Sequence, residues 1–236
     1  MRCGLYGKLP AKRDFIAIGA PREFLNAWEP WIQSGISASQ VSLGADWQNV
    51  FLTAPIWRFW LGAENCGTTV IGAFMSSLDG VGRYFPLTLF ACAEPGATIP
   101  PPEFDSQDDW FAAVEEFLMS TLDQDTQFDA ITAALEQLSP PAGATQAAGA
   151  NGAVVFEDGT IASPADGQAF PNLFNSLHAA DRGNTLSAAT FWWTVGGEGY
   201  QPMALSARKM PDPFLFAAML TGRFDPRPET ALREAR

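Results

Sequence analysis

The stretch Ile56-Trp57-Arg58-Phe59-Trp60-Leu61 constrains this chain more than any other. Its aromatic and β-branched residues, closed by Gly62, read as a strand. A guanidinium flanked by three large rings must point to solvent or find a carboxylate, because burying it unpaired is prohibitive. Asp14 and Asp79 are the natural partners for Arg58.

Two more strands follow at 68–76 and 84–93, separated by glycine-bearing turns at 62–67 and 79–82. Three strands on short links predict an antiparallel meander. Pro86 confines the third to an edge or a bulge. Upstream, residues 4–8 read as a short strand. Residues 21–43 read as a helix, with Phe24, Trp28, Trp31 or Ile32, and Ile36 at three- and four-residue steps. Pro30 is expected to kink that helix or to start a second one. Asp46 is placed to cap a further short helix through Leu52.

Helices are predicted at 106–122 and 127–138, the first with an apolar stripe of Trp110, Phe111, Val114, Phe117 and Leu118. Residues 140–152, rich in Ala, Gly and Pro, read as a linker. Beyond them come strands at 153–157 and 160–162 around Asp158-Gly159, then a helix at 172–180. The strand at 189–195 carries Phe191-Trp192-Trp193 and reads as central and buried on both faces. A strand at 202–206, a helix at 212–221 and a polar, fraying end complete the chain. Together these elements predict an α/β fold with a mixed, largely antiparallel sheet flanked by helices. We read one domain over 1–236, with an amino-terminal part (1–93), an acidic helical part (94–139), the linker-like loop and a second strand/helix cluster (153–222).

At 236 residues and 47% hydrophobic, the chain is large enough to bury a proper core. It shows neither a secretory leader nor an apolar run long enough to span a membrane, so a cytoplasmic protein without membrane insertion is expected. The net charge of -12 argues against a nucleic-acid partner. That excess is local, because residues 94–180 hold 14 acids and no base. Such a block reads as a solvated face, or as a surface that steers a basic partner.

Gly4-Leu5-Tyr6-Gly7-Lys8 resembles a fragment of a phosphate loop and fails as one. The required upstream glycine is Arg2, the residue after Lys8 is Leu9, and Pro10 follows at once. Cys3, Cys66 and Cys92 are odd in number and widely spaced, which supports buried free thiols over disulfides or zinc. His178, the single histidine, sits at an expected helix end and reads as structural. The polar candidates are Lys8, Asp14, Arg58, Asp79 and Arg83. They form either structural ion pairs or, through Lys8, Arg58 and Arg83, a pocket for an anion or a contact for a partner. No catalytic motif is present, so no enzyme activity, metal or cofactor is expected.

GLYGKLPAKRDF, PREFLNAWEPWIQSGISAS, LTAPIWRFWLG and DGVGRYFPLTLF, in that order and spacing, resemble the TagF family of type VI secretion-associated proteins over residues 4–93. The resemblance implies a post-translational brake on secretion that binds a forkhead-associated scaffold protein of the secretion cluster. It carries no catalytic residues. Trp28, Trp31, Arg58 and Arg83 are candidate partner anchors if exposed. The alternatives are an anion or phosphopeptide sensor built on the basic amino-terminal residues, and, third, an uncharacterised enzyme.

Overall fold

The computed structural model describes residues 1–123, 125–143, 154–155, 161–162 and 186–224. Its strands are β1 (Cys3–Gly7), β2 (Ile16–Ile18), β3 (Trp57–Leu61), β4 (Val70–Met75), β5 (Leu87–Cys92), β6 (Val154–Val155), β7 (Ile161–Ala162), β8 (Thr190–Thr194) and β9 (Met203–Ala207). The helices are α1 (Arg22–Leu43), α2 (Trp47–Thr53), α3 (Ala63–Cys66), α4 (Asp108–Ser120), α5 (Phe128–Gln137) and α6 (Leu215–Thr221). Seven strands form one sheet in the order β2-β1-β5-β4-β3-β8-β9, and each neighbouring pair is antiparallel. The predicted meander is β3-β4-β5. β6 and β7 pair separately. The helix expected at 172–180, His178 and most of the expected linker lie outside the described residues.

Alternation along the strands divides the core into two layers. On one face Trp57, Phe59 and Leu61 join Trp28, Trp31, Ile32, Phe51 and Phe216 from α1, α2 and α6. On the other, Trp60 joins Leu89, Ala91, Phe111, Val114 and Leu135 beneath α4 and α5. Helices thus cover both faces, which is why β3, β4 and β5 read as nearly continuous apolar runs.

Seven indole N–H groups find acceptors, as buried tryptophan requires. Trp31 donates to the Pro211 carbonyl at 2.9 Å and Trp57 to the Met219 carbonyl at 2.9 Å, tying the carboxy-terminal segment to α1 and β3. Trp28 donates to Thr88 at 3.2 Å, Trp47 to Ser39 at 2.8 Å and Trp192 to Thr190 at 3.0 Å. Trp60 donates to the Ile99 carbonyl and Trp110 to the Ser139 carbonyl, both at 3.0 Å.

Several local expectations change in three dimensions. Pro30 starts no second helix, since α1 runs unbroken through it. Pro30 is exposed, so water can reach the carbonyl it leaves without a donor. Asp46 precedes α2 but makes no side-chain cap, because it closes a 3₁₀ turn and is itself helical. Pro86 does not confine its strand to an edge. It lies just before β5, so no ladder N–H is lost, and β5 is interior between β1 and β4. β8 is interior, yet only one of its faces is fully buried. Thr190, Trp192 and Thr194 are enclosed while Phe191 and Trp193 are half-buried.

Trp28 is fully buried and its ring lies 4.4 Å from Phe59 and 5.8 Å from Trp192. Trp28→Ala is expected to cost about 3–5 kcal/mol in urea denaturation, the range for deleting a large buried aromatic. A loss below about 1 kcal/mol would show that α1 does not depend on this contact.

Candidate functional site

The most connected polar cluster joins the loop after β1 to the turn between β4 and β5. Gly7 makes the first part possible. Its φ is +130°, and a Cβ there would lie 2.0 Å from the Pro86 carbonyl oxygen. Only glycine fits this turn, which delivers Lys8 into the protein. Gly4 is fixed by packing, since a Cβ would meet the Phe90 ring at 2.4 Å. These two glycines of the failed phosphate loop therefore serve backbone geometry.

Asp79 is wholly buried and is the centre of the cluster. Its Oδ1 accepts hydrogen bonds from the backbone N–H of Val81 at 3.1 Å and of Arg83 at 2.9 Å. Oδ2 accepts from Lys8 Nζ at 3.0 Å and Arg83 Nε at 2.7 Å. Arg83 also donates through Nη2 to the Arg13 carbonyl, and the Gly80 N–H donates to the Lys12 carbonyl at 2.7 Å. The two loops are thus clasped through one carboxylate. Burial alone would raise the Asp79 pKa. It is outweighed by the backbone N–H of Arg83, the Lys8 and Arg83 side chains and the Val81 N–H, which hold the carboxyl well below the usual range.

Of the sequence candidates, the structure brings Lys8, Asp79 and Arg83 together and separates Arg58 and Asp14 from them. Arg58 does not pair with Asp14 or Asp79. Its Nε donates to Glu115 Oε1 at 2.6 Å, its Nη1 lies 3.5 Å from Asp108 Oδ1, and its guanidinium sits 4.8 Å from the Phe111 ring centre. All three partners are on α4, which covers the sheet face that Arg58 occupies. Asp14 is exposed, and among the described residues no cation lies within ion-pair distance of it. Lys8 and Arg83 share the one Asp79 carboxylate, while Arg58 has Glu115 and Asp108 on α4, so the three cations are paired within the chain and do not converge on a common anion pocket. Trp28 and Trp31, candidate anchors if exposed, are core residues at 0% and 5% exposure.

Glu115 and Asp108 are the residues that sequence reasoning missed. Their signal lies in the spacing, three before and four after Phe111, which puts all three on one side of α4. Burial pushes the thiols of Cys3 and Cys92 up to about 11 and that of Cys66 up to about 12, so they stay protonated at neutral pH. Among the described residues no group of three or more His, Cys, Asp or Glu is placed to hold a metal ion. None of the described helices is long and apolar enough to cross a membrane. A groove of about 650 Å³ lies between the end of α1 and α6, lined mainly by Leu43, Phe214, Leu215, Ala218 and Phe224.

An antiparallel sheet layered by helices, with its buried charges consumed in internal pairs, defines an α/β scaffold. Residues 4–138 match the model of the TagF N-terminal domain, described as type VI secretion system-associated. The chain belongs to this family. It is also similar in structure to PA0076 from Pseudomonas aeruginosa PAO1, with a TM-score of 0.77 and 30% identity over 96% of this chain and 97% of that one. No curated protein matches the sequence.

The Asp79 cluster makes stability depend on pH. The folded-state pKa of Asp79 is depressed, so its contribution is fully present above the ordinary carboxylate value of about 4 and is lost as pH falls toward the folded value. Asp79→Asn is expected to cost about 3 kcal/mol near pH 7, the low end for breaking a buried pair, because the Arg83 side chain remains largely in water. Denaturation of both proteins across pH checks this. The gap should narrow below about pH 4, and a gap independent of pH would contradict the assignment.

Proposed function

We propose that this protein is a cytoplasmic, post-translational negative regulator of type VI secretion that acts by binding a forkhead-associated scaffold protein of the secretion cluster. The observation that carries this reading is the family match over residues 4–138, extended by the likeness to PA0076 along nearly the whole chain. The physical character of the scaffold supports it. Two buried clusters and the internally paired Lys8, Arg58 and Arg83 suit a rigid body that presents a surface to a partner. The mechanism is occupancy: the regulator holds the scaffold and denies it to the assembling machine. An interface of about 1,200–2,000 Å² in total is enough for stable sequestration. This reading assigns the chain no catalytic role and no cofactor.

The test pairs a pull-down of the purified scaffold with a secretion assay under repressing conditions. The wild-type protein should retain the scaffold, and its deletion should raise secretion. Unchanged secretion in the deletion strain, or a scaffold that does not bind, would overturn the reading.

A further inference from the structure

We propose that the clasped double loop formed by residues 10–15 and 79–83 is a docking surface for an acidic segment of a protein partner. This inference rests on the binding role proposed above and names the face that performs it. Lys12 and Arg13 are exposed, and the Arg83 side chain is 58% exposed although its Nε is bound to Asp79. Beside them stand two exposed apolar side chains, Phe15 at 50% and Val81 at 56%. Phe15 packs edge-on against Phe85 at 4.7 Å, so the ring is fixed while half of it faces water.

The loops form one continuous surface. The Gly80 N–H donates to the Lys12 carbonyl at 2.7 Å, the Lys12 N–H donates to the Leu9 carbonyl at 3.1 Å, and Arg83 donates to the Arg13 carbonyl. Lys12 Nζ lies 4.1 Å from the centre of the Phe128 ring, which restrains its stem. A surface held this firmly loses little conformational freedom on binding.

Charge decides the class of partner. With the internal pairs included, Lys8, Lys12, Arg13 and Arg83 stand against Asp14 and Asp79, a local positive excess on a chain of net charge -12, with Lys12 and Arg13 exposed. Glu29 accepts a hydrogen bond from Gln33 Nε2 at 3.0 Å within α1. Arg208 and Lys209 form another exposed basic pair and Arg223 lines the groove beside the exposed Phe214, while the double loop carries Lys12, Arg13, Arg83, Phe15 and Val81 exposed on two loops hydrogen-bonded to each other. Aromatic and arginine side chains at such a centre are the usual sources of binding energy, and opposite charge speeds encounter.

Two measurements test the proposal. The first is a titration of the full-length protein with a deca-glutamate peptide, followed by amide chemical shifts. Shifts should concentrate on residues 12–15 and 81–83, fade as salt rises, and vanish in the Lys12→Glu/Arg13→Glu variant. Arg208→Glu/Lys209→Glu, an equal change of charge elsewhere, should leave them in place. No shifts, or shifts centred on residues 208–209, would overturn the proposal. The second measures scaffold affinity. Lys12→Glu/Arg13→Glu and, separately, Val81→Glu should each weaken binding at least tenfold, with melting temperatures confirming that the variants fold. Full affinity in both folded variants would overturn the proposal while leaving the scaffold reading intact. A wild-type protein that does not bind the scaffold would overturn that reading alone, and the peptide titration would still decide the surface.

Discussion

The stacking of Trp28 against Trp192, with ring centres 5.8 Å apart and nearly parallel, is the contact on which the rest of the molecule depends. Trp28 belongs to the first helix, and Trp192 to a strand more than 160 residues later. Around them Phe24, Trp31, Phe59 and Phe74 close a single aromatic layer. This layer lets β8 and β9 extend a sheet begun by the amino-terminal half. The indole hydrogen bonds then fix the direction of each ring, so the layer has one packing and not several.

Charge is handled with the same economy on both sides of the sheet. Arg58 emerges on the α4 face and meets Glu115 there, and Asp79 at the end of the meander gathers Lys8 and Arg83. The Arg58–Glu115 and Lys8–Asp79 pairs each join segments far apart in the chain, so each fixes how elements meet as well as neutralising charge. The double loop inherits its rigidity from the second of these pairs. A family associated with type VI secretion thus has in this member a frame whose clasped loops expose Lys12, Arg13 and Arg83 beside a buried ion pair.

Much of the fold was legible because the meander strands are continuous apolar runs and the helices carry periodic apolar stripes. The aromatic and β-branched run in residues 56–61 marked a strand, and the three- and four-residue steps of Phe24, Trp28, Ile32 and Ile36 marked a helix. The three strands of the meander and helices α4 and α5 were legible for the same reason. Proline was harder to read. Pro30 is tolerated because it faces water, and Pro86 because it stands one residue outside its ladder, and neither fact is local to the sequence. Asp79 reads as a partner for a buried cation, and it serves Lys8 and Arg83 instead of Arg58.

By itself the sequence determined where most of the described strands and helices form, though not β2 or the short α3, that Arg58 needs a carboxylate, and that Gly4-Leu5-Tyr6-Gly7-Lys8 is no phosphate loop. These follow from side-chain period, desolvation and local backbone geometry, all of which act over a few residues. Only the tertiary structure decided that Glu115 and Asp108 answer Arg58, that Trp28 and Trp31 are core, and that the loops carrying Lys12 and Arg83 are hydrogen-bonded to each other. Those outcomes depend on which sheet face a helix covers and which loops meet across it, and such choices are made by packing between segments that the sequence keeps far apart.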